Sequence, residues 1–295
     1  MGVVGGKGGA GKTLVAVNLA VLLGCMGLRV VLGDLDVEAP NACLVAGGSC
    51  GCGGSVLLPF PVVDAGRCLR CGVCGSACGS GALVSVRGRL PLVVNPRLCS
   101  GCRACIYRCP VGALVESCRV AGCWGLESVA TCCGFLDVFT CMLGVGEEHV
   151  SSVVSWCLGR FLGLGGYDVY VVDVGAGAGA GVASVVSRCG LVVLVVEDSV
   201  SGVSDALRVL GVVERLGVPY VVVVNKEAGG PASRRRWGGA LGVVRVPYDW
   251  RVVCSSLDSG VPVVCGWPGS GVARSLSVLA GIVAGLAGGG VGGGG

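Results

Sequence analysis

Near its start the chain carries a run of glycines that ends in a lysine and a threonine. The run, Gly6-Lys7-Gly8-Gly9-Ala10-Gly11-Lys12-Thr13, fits the pattern G-x-x-x-x-G-K-[ST]. In that pattern glycines let backbone N–H groups turn inward around phosphate oxygens. The last lysine reaches the β- and γ-phosphates, and the hydroxyl after it ligates Mg²⁺. The residue types therefore predict a phosphate-binding loop in which Lys12 contacts nucleotide phosphates and Thr13 binds the metal ion.

Eight of the 21 cysteines form two runs with the same spacing, C-x₂-C-x₂-C-x₃-C. This is the spacing of bacterial two-cluster ferredoxins, in which the fourth cysteine of each run ligates the cluster of the other run. Four-ligand zinc sites, the alternative, use two well-separated pairs. We therefore predict two [4Fe-4S] clusters, one held by Cys68, Cys71, Cys74 and Cys109, the other by Cys99, Cys102, Cys105 and Cys78.

Aspartates follow two of the apolar segments that are typical of buried strands. Asp34 and Asp36 follow residues 30–33, and Asp173 follows residues 169–172. Open parallel sheets bind ligands at the carboxyl ends of their strands, so acidic side chains at these points face a ligand site. Asp173 has the arrangement that holds Mg²⁺ in P-loop enzymes. Asp34 is explained almost as well by capping of the next turn.

The elements that must position these residues alternate between strand and helix. Residues 2–5 form a short apolar strand before the loop, and residues 13–28 form a helix after it, so phosphate lies at a helix N-terminus. Further strands and helices predict a three-layer α/β P-loop NTPase fold with a mostly parallel sheet, interrupted by a small α+β ferredoxin module. We assign residues 1–62 and 116–287 to the ATPase domain, 63–115 to the insertion and 288–295 to a disordered glycine tail.

A second lysine inside the loop makes the motif more specific. With Lys7, the run resembles the deviant Walker A motif of the SIMIBI-class MinD/ParA/Mrp ATPases and the nitrogenase iron protein. In that family the extra lysine reaches nucleotide phosphates across a dimer interface, so the resemblance implies an ATP-dependent homodimer. Combined with the two cysteine runs, it extends to MinD-superfamily ATPases that carry an inserted ferredoxin domain.

The resemblance also implies roles for three other residues. Asp36 helps to position the attacking water, Gly177 places a backbone amide near the γ-phosphate, and Asn225 reads the adenine. One departure lies beside Gly177, where Gly175 replaces the family's usual proline. A glycine there implies a more flexible switch segment.

The remaining composition narrows the functional classes. The long uncharged stretches are rich in glycine or broken by prolines, so we expect no membrane span. A net charge of +4 and one short arginine run, which we interpret as a solvated helix face, give no reason to expect nucleic acid. Without a secretory signal pattern the chain is expected to be cytoplasmic. Cys118, Cys123, Cys132, Cys133 and Cys141 have no recognisable ligand spacing, so we expect them to pack in the core, and we expect residues 47–61, with Cys50 and Cys52, to form a loop.

Two functional hypotheses follow. The first is an ATPase, cleaving ATP to ADP and phosphate, whose nucleotide state is coupled to electron transfer through two [4Fe-4S] clusters toward an unidentified redox partner. The second is a carrier that delivers clusters to apo iron–sulfur proteins. Both need ATP, Mg²⁺ and the two clusters, and both rest for their last step on family resemblance.

Overall fold

The structure, a computed structural model, describes residues 1–93 and 95–288. Its strands are β1 (Gly2–Gly5), β2 (Val30–Leu35), β3 (Gly54–Val63), β4 (Leu83–Val84), β5 (Leu92–Val93), β6 (Leu114–Thr131), β7 (Gly134–Leu143), β8 (Val169–Val174), β9 (Val192–Glu197), β10 (Tyr220–Glu227) and β11 (Val243–Pro247). Its helices are α1 (Lys12–Cys25), α2 (Ala42–Ala46), α3 (Val73–Ser76), α4 (Ala104–Tyr107), α5 (Val150–Leu162), α6 (Ala180–Val186), α7 (Val200–Arg215), α8 (Pro231–Arg234), α9 (Trp250–Ser259), α10 (Val263–Gly266) and α11 (Gly271–Gly288).

Nine strands form one sheet in the order β11-β10-β9-β1-β8-β2-β7-β6-β3. The seven strands from β11 to β7 run parallel, and β6 pairs antiparallel with both β7 and β3. The central strands are nearly continuous apolar runs because helices cover both of their faces. The predicted three-layer, mostly parallel fold is confirmed. All the parallel strands end at one edge, which brings the ends of β1, β2, β8 and β10 together.

Alternate residues along each central strand enter two separate cores. Val3, Leu32 and Val193 pack with helices α1, α2, α10 and α11 on one face. Val4, Val31 and Leu194 pack with α5, α6 and α7 on the other. No helix within residues 1–93 and 95–288 combines the length and the apolar character needed to cross a membrane.

The strands that carry the insertion differ from expectation. Residues 47–61 were expected to form a loop, but residues 54–61 belong to strand β3, which pairs along its length with β6. The strand was not predicted because it contains Pro59 and Pro61. Proline cannot donate to a ladder, so it is tolerated where a strand forms a sheet edge. β3 is that edge.

The cysteine-rich module between β3 and β6 is an internal repeat in three dimensions as well as in sequence. Arg70 (φ 56°) and Gly101 (φ 75°) hold equivalent left-handed positions between the first two cysteines of each run. Gly72 (φ 84°) and Arg103 (φ 60°) do so after the second cysteine, just before the short helices α3 and α4. The predicted glycine tail begins with Gly288, which is the last residue of α11, and residues 289–295 lie outside the described residues.

Candidate functional site

The glycine run forms a tight loop between β1 and the N-terminus of α1. Gly11 has φ 94°, and a Cβ at that position would overlap the side-chain amide of Asn225, so only glycine fits. The Lys12 side chain is 6% exposed, and its ammonium donates to the Lys7 carbonyl at 3.5 Å. The loop thus surrounds its second lysine with backbone, as phosphate binding requires.

The Thr13 hydroxyl donates to Asp173 Oδ2 at 2.6 Å and joins the start of α1 to the end of β8. Asp173 is 1% exposed, and its buried Oδ1 has no hydrogen-bond partner among the described residues. Burial, together with the nearby charge of Asp34, raises the pKa of Asp173 to about 8. A buried carboxylate oxygen without a partner beside a hydroxyl fits a hard divalent cation such as Mg²⁺.

Asp34 and Asp36 have different environments although both follow the apolar part of β2. The Asp34 carboxylate accepts from the Ala42 amide at 2.8 Å and the Asp36 amide at 3.1 Å, which caps the following turn. Asp36 instead lines the cleft above the loop. Burial raises the pKa of Asp36 although the charge of Lys12 opposes the shift. Of the two, the geometry gives Asp36 access to a ligand.

Gly175 and Gly177 lie just after strand β8, beside Asp36 and the phosphate loop. A Cβ at Gly175 would lie 3.3 Å from Asp36 Oδ1, so the glycine lets the carboxylate approach the backbone closely. The Gly177 amide donates to the Gly5 carbonyl at 3.1 Å, and Gly177 has φ 103°. The segment is therefore next to the start of the phosphate loop, and the contact of the Gly177 amide with the γ-phosphate remains a prediction.

The extra lysine is held within its own chain. The Lys7 ammonium forms an ion pair with Glu197 at the end of β9 and donates to Ser201 Oγ at 3.2 Å. Hydrogen bonding from Lys7 lowers the pKa of Glu197 below its ordinary value. No local pattern indicates this role for Glu197, because the role depends on β9 lying beside β1.

A cleft of about 750 Å³ opens above the loop. Its walls include Lys12, Asp36, Asn225, Tyr248 and Trp250. Asn225 is 5% exposed and donates from Nδ2 to the Ala10 carbonyl at 2.8 Å, so it supports the loop from behind. Recognition of adenine by Asn225 remains a prediction. The hydrogen bond from Asn225 to the Ala10 carbonyl was not predicted.

The eight cysteines of the two runs line two small cavities, each with ligands from both runs. The first cavity is lined by Cys68, Cys71, Cys74 and Cys109. The second is lined by Cys78, Cys99, Cys102 and Cys105. These are the two predicted ligand sets, so the chain can offer four thiolates in each place to a [4Fe-4S] cluster.

Backbone amides donate hydrogen bonds to cysteine sulfurs in both runs. The Leu83 amide donates to Cys78 Sγ at 3.4 Å, and the Ala113 amide donates to Cys109 Sγ at 3.2 Å. Burial alone raises the thiol pKa of both cysteines, but these and neighbouring amide hydrogen bonds outweigh it, so each pKa lies below its ordinary value. The Cys78 and Cys109 positions therefore favour thiolates, which are the ligands that iron requires, whereas burial raises the pKa of the Cys74 and Cys105 thiols.

A buried ion pair attaches the second cysteine run to the nucleotide-binding domain. Arg119 on β6 pairs with Glu147, and their side chains are 10% and 3% exposed. Arg119 also donates to the Cys99 carbonyl at 3.0 Å, while Glu147 accepts from the His149 amide at 2.9 Å. No local pattern indicates a role for Arg119, because its partner Glu147 lies 28 residues away in the chain.

Two family models match parts of the chain. The CobQ/CobB/MinD/ParA nucleotide-binding domain matches residues 1–55, and the 4Fe-4S binding domain matches residues 92–115. The chain is 29% identical to the uncharacterized protein MJ0579 of Methanocaldococcus jannaschii over 264 residues, covering 85% of this chain and 86% of the relative. It is 21% identical to that organism's uncharacterized ATP-binding protein MJ0547 over 285 residues, covering 94% and 84%.

Solved structures of MinD proteins have a similar fold. The septum site-determining protein MinD of Pyrococcus horikoshii, solved with Mg-ADP, has a TM-score of 0.58 and 22% identity, covering 97% of this chain and 96% of MinD. The cell division ATPase MinD of Pyrococcus furiosus has a TM-score of 0.57 and 20% identity, covering 97% and 98%. At identities of 20% and 22%, this similarity shows a shared fold and nothing further.

Fold and site together define a P-loop nucleotide-binding protein with the MinD/ParA fold. The chain adds a 4Fe-4S domain of the ferredoxin type to that fold. The resemblance seen in the sequence is confirmed: one region matches the CobQ/CobB/MinD/ParA nucleotide-binding domain, another matches the 4Fe-4S binding domain, and the fold is similar to that of MinD.

Proposed function

We propose that this chain is a Mg²⁺-dependent ATPase whose nucleotide state is coupled to electron transfer through two [4Fe-4S] clusters. The observation that carries the proposal is that one sheet connects the two sites: Asp173, the partner of Thr13, lies on β8, and both cysteine sets lie on the segment between β3 and β6 of the same sheet. A change at one end of this sheet can reach the other through hydrogen-bonded strands. The presence of two clusters rests on the two complete cysteine sets around separate cavities.

Hydrolysis in this proposal depends on positioning and charge. Lys12 and the loop amides bind the phosphates, and Thr13 with Asp173 holds Mg²⁺, which supplies charge neutralisation when bound. Asp36 orients the attacking water from the cleft wall. No side chain forms a covalent bond to the substrate, so the rate enhancement comes from alignment and electrostatic stabilisation.

Dimerisation uses Lys7. To contact a nucleotide on a second protomer, its ammonium must exchange Glu197 for a phosphate. ATP offers a γ-phosphate that compensates for the lost ion pair, whereas ADP offers less charge. The ion pair with Glu197 therefore opposes association without ATP and makes the homodimer dependent on the triphosphate.

A hydrogen-bonded path connects the water-positioning segment to the clusters. The Leu143 amide, at the end of β7, donates to the Val37 carbonyl at 2.8 Å, next to Asp36. β7 pairs with β6, and β6 begins at Leu114, in the same turn as Cys109. Movement of the Asp36 segment on hydrolysis thus acts on the strand that carries the ferredoxin module.

The clusters supply one-electron transfer when bound. Cys71 and Cys102 are exposed, one in each ligand set, so each site has an edge at the surface that a redox partner can approach. Both sets require reduced thiols, and we therefore place the protein in the cytoplasm.

Three measurements test the proposal. Anaerobically purified protein should contain roughly eight iron atoms per chain, as two cubanes require. Lys12→Ala should abolish ATP binding while the iron content stays unchanged. Low-temperature EPR of the reduced protein should change when a non-hydrolysable ATP analogue is added to wild type, and should not change in Lys12→Ala. Identical spectra with and without nucleotide in the wild type would refute coupling.

The second candidate function is delivery of clusters to apo-proteins. The exposed Cys71 and Cys102 favour it as well, because an acceptor thiol can reach them. Incubation with an apo-ferredoxin separates the two functions. Iron that leaves the chain faster with ATP supports the carrier, whereas iron that stays while a redox dye is reduced supports electron transfer.

A further inference from the structure

The ferredoxin module is strongly basic. Residues 63–115 contain seven arginines, no lysine and a single acidic residue, Asp64. All seven arginines are exposed. Two oxidised cubanes with their thiolates would contribute roughly four negative charges, so the loaded module would still carry a positive balance. Its surface therefore attracts negatively charged molecules to the neighbourhood of the cysteine sets.

A turn around Gly88 packs against the loop that carries Cys71, the exposed ligand of the first cysteine set. The Gly88 amide donates to the Arg70 carbonyl at 3.0 Å. A Cβ at Gly72 would lie 3.9 Å from the Arg87 amide nitrogen. Arg70 and this turn are therefore neighbours beside Cys71.

The exposed side chains of the loop and the turn are basic or aliphatic. Arg70, Arg87 and Arg89 form no ion pair within the part of the chain that the structure describes. Leu69 and Val86, their neighbours in the chain, are 65% and 58% exposed. We name these five residues the arginine face. It presents three positive charges and two apolar side chains next to a cluster ligand.

The second cysteine run is instead attached to the nucleotide-binding domain. Arg103, which follows the exposed ligand Cys102, forms an ion pair with Glu116 on β6, so its charge is compensated. The Ser152 hydroxyl of α5 donates to the Ser100 carbonyl at 3.0 Å. Of the two runs, the first therefore offers the more open and more positive approach.

We propose that the arginine face docks an acidic one-electron carrier protein, an iron–sulfur protein or a flavoprotein. This inference rests on the proposed electron-transfer function and names the class of its partner. The oxidised carrier gains one electron, the iron held beside Cys71 is oxidised by one electron, and no bond or proton is transferred. Guanidinium groups pair well with carboxylates, and opposite charges speed the encounter of two proteins.

A nucleic acid would also be attracted by three arginines, but the rest of the arginine face suits it less well. Binding of single strands relies on aromatic side chains that stack on the bases. The exposed apolar side chains of this face, Leu69 and Val86, are aliphatic. Such side chains fit the apolar centre of a protein interface.

The test measures binding between the oxidised, cluster-loaded protein and an oxidised, acidic plant-type [2Fe-2S] ferredoxin by calorimetry. We expect binding that weakens as salt is added, because salt screens exposed charges. The triple variant Arg70→Gln, Arg87→Gln and Arg89→Gln should bind the ferredoxin about tenfold more weakly at low salt. Its iron content and its affinity for ATP should equal those of wild type, which shows that the variant is folded.

The matched control removes the same charge from another part of the surface. Arg234→Gln, Arg235→Gln and Arg236→Gln replace three exposed arginines that follow β10, near the opposite edge of the sheet from β3. This variant should bind the ferredoxin nearly as tightly as wild type does. Equal weakening in both triple variants would overturn the proposal, because net charge alone would then account for binding.

Stopped-flow reduction of the ferredoxin, by protein that has been reduced and then freed of reductant, separates the docking surface from the proposed function. Binding that depends on the arginine face, without electron transfer in wild type, would support the surface and refute the function. Electron transfer at the wild-type rate in the arginine-face variant would overturn the surface and leave the function standing. The surface is also overturned if the protein binds neither this ferredoxin nor an acidic flavodoxin, or if single-stranded DNA binds the arginine face more tightly than they do.

Discussion

Removing the carboxylate of Glu147 is expected to destabilise the junction between the ferredoxin module and the nucleotide-binding domain. Glu147→Ala leaves the guanidinium of Arg119 at 10% exposure without its charged partner. Breaking a buried pair by deleting one partner costs about 3–5 kcal/mol. The Cys99 carbonyl still accepts one Arg119 hydrogen bond, so we expect a loss near the lower end, about 3 kcal/mol.

The assay is anaerobic urea unfolding of the cluster-loaded protein together with the rate of iron release to a chelator. Because Arg119 holds the Cys99 carbonyl, the iron bound by the second run should leave several-fold faster, while the other half leaves at the wild-type rate. Double replacement, Arg119→Met with Glu147→Leu, should recover most of the stability, since no unpaired charge stays buried.

The control lies on the same strand. The ion pair between Arg103 and Glu116 joins the same module to β6, but its side chains are 46% and 38% exposed. Water screens such a pair, so Glu116→Ala should leave the unfolding midpoint unchanged. The reasoning would be refuted if Glu147→Ala changed stability no more than Glu116→Ala does.

Three further predictions concern the clusters, a buried acid and the cleft. Each cubane is predicted to take its fourth ligand from the other run. The double variant Cys78→Ser with Cys102→Ser should therefore remove about four iron atoms, and Cys78→Ser with Cys71→Ser should remove all of the roughly eight. The reverse result would assign each run its own cluster. Burial raises the pKa of Asp34 to about 6, so the folded chain holds a proton that the unfolded chain releases, and stability should fall as pH rises from about 4 to about 6. Urea unfolding at pH 5 and pH 7 should show a steeper fall in wild type than in Asp34→Asn, which keeps the contribution of Asp173, whose pKa burial raises to about 8; an equal slope in both would contradict it. Asn225→Ala removes the hydrogen bond to Ala10, and calorimetry should show weaker ATP binding; equal weakening of GTP binding would mean that Asn225 supports the loop without reading the base.

The central fold was predictable because its determinants are local. Continuous apolar runs such as residues 192–196 indicate buried parallel strands, and the glycine run fixes the loop between β1 and α1. Cysteine spacing was equally informative, since the ligands Cys68, Cys71 and Cys74 fall on one tight loop whose geometry follows from their separation. In these places the pattern and the structure depend on the same few neighbouring residues.

The rest depends on contacts between residues far apart in the chain. The long strands β6 and β7 mix polar and apolar residues without strict alternation, and β3 contains prolines, so no local pattern indicates them. Cys132 and Cys133 were expected to pack in the core, but they are exposed and meet Cys25 and Cys265. Only the completed sheet brings these four together.

The register of one strand pair bears on how such a protein arose. Val63, where the chain enters the cysteine-rich module, lies directly opposite Leu114, where it returns. Backbones of opposed residues are only about 5 Å apart, a gap that a two-residue turn can close. An ancestral gene can therefore gain or lose the module without disturbing the sheet. A short hairpin turn between Val63 and Leu114 would leave a nucleotide-binding protein without clusters.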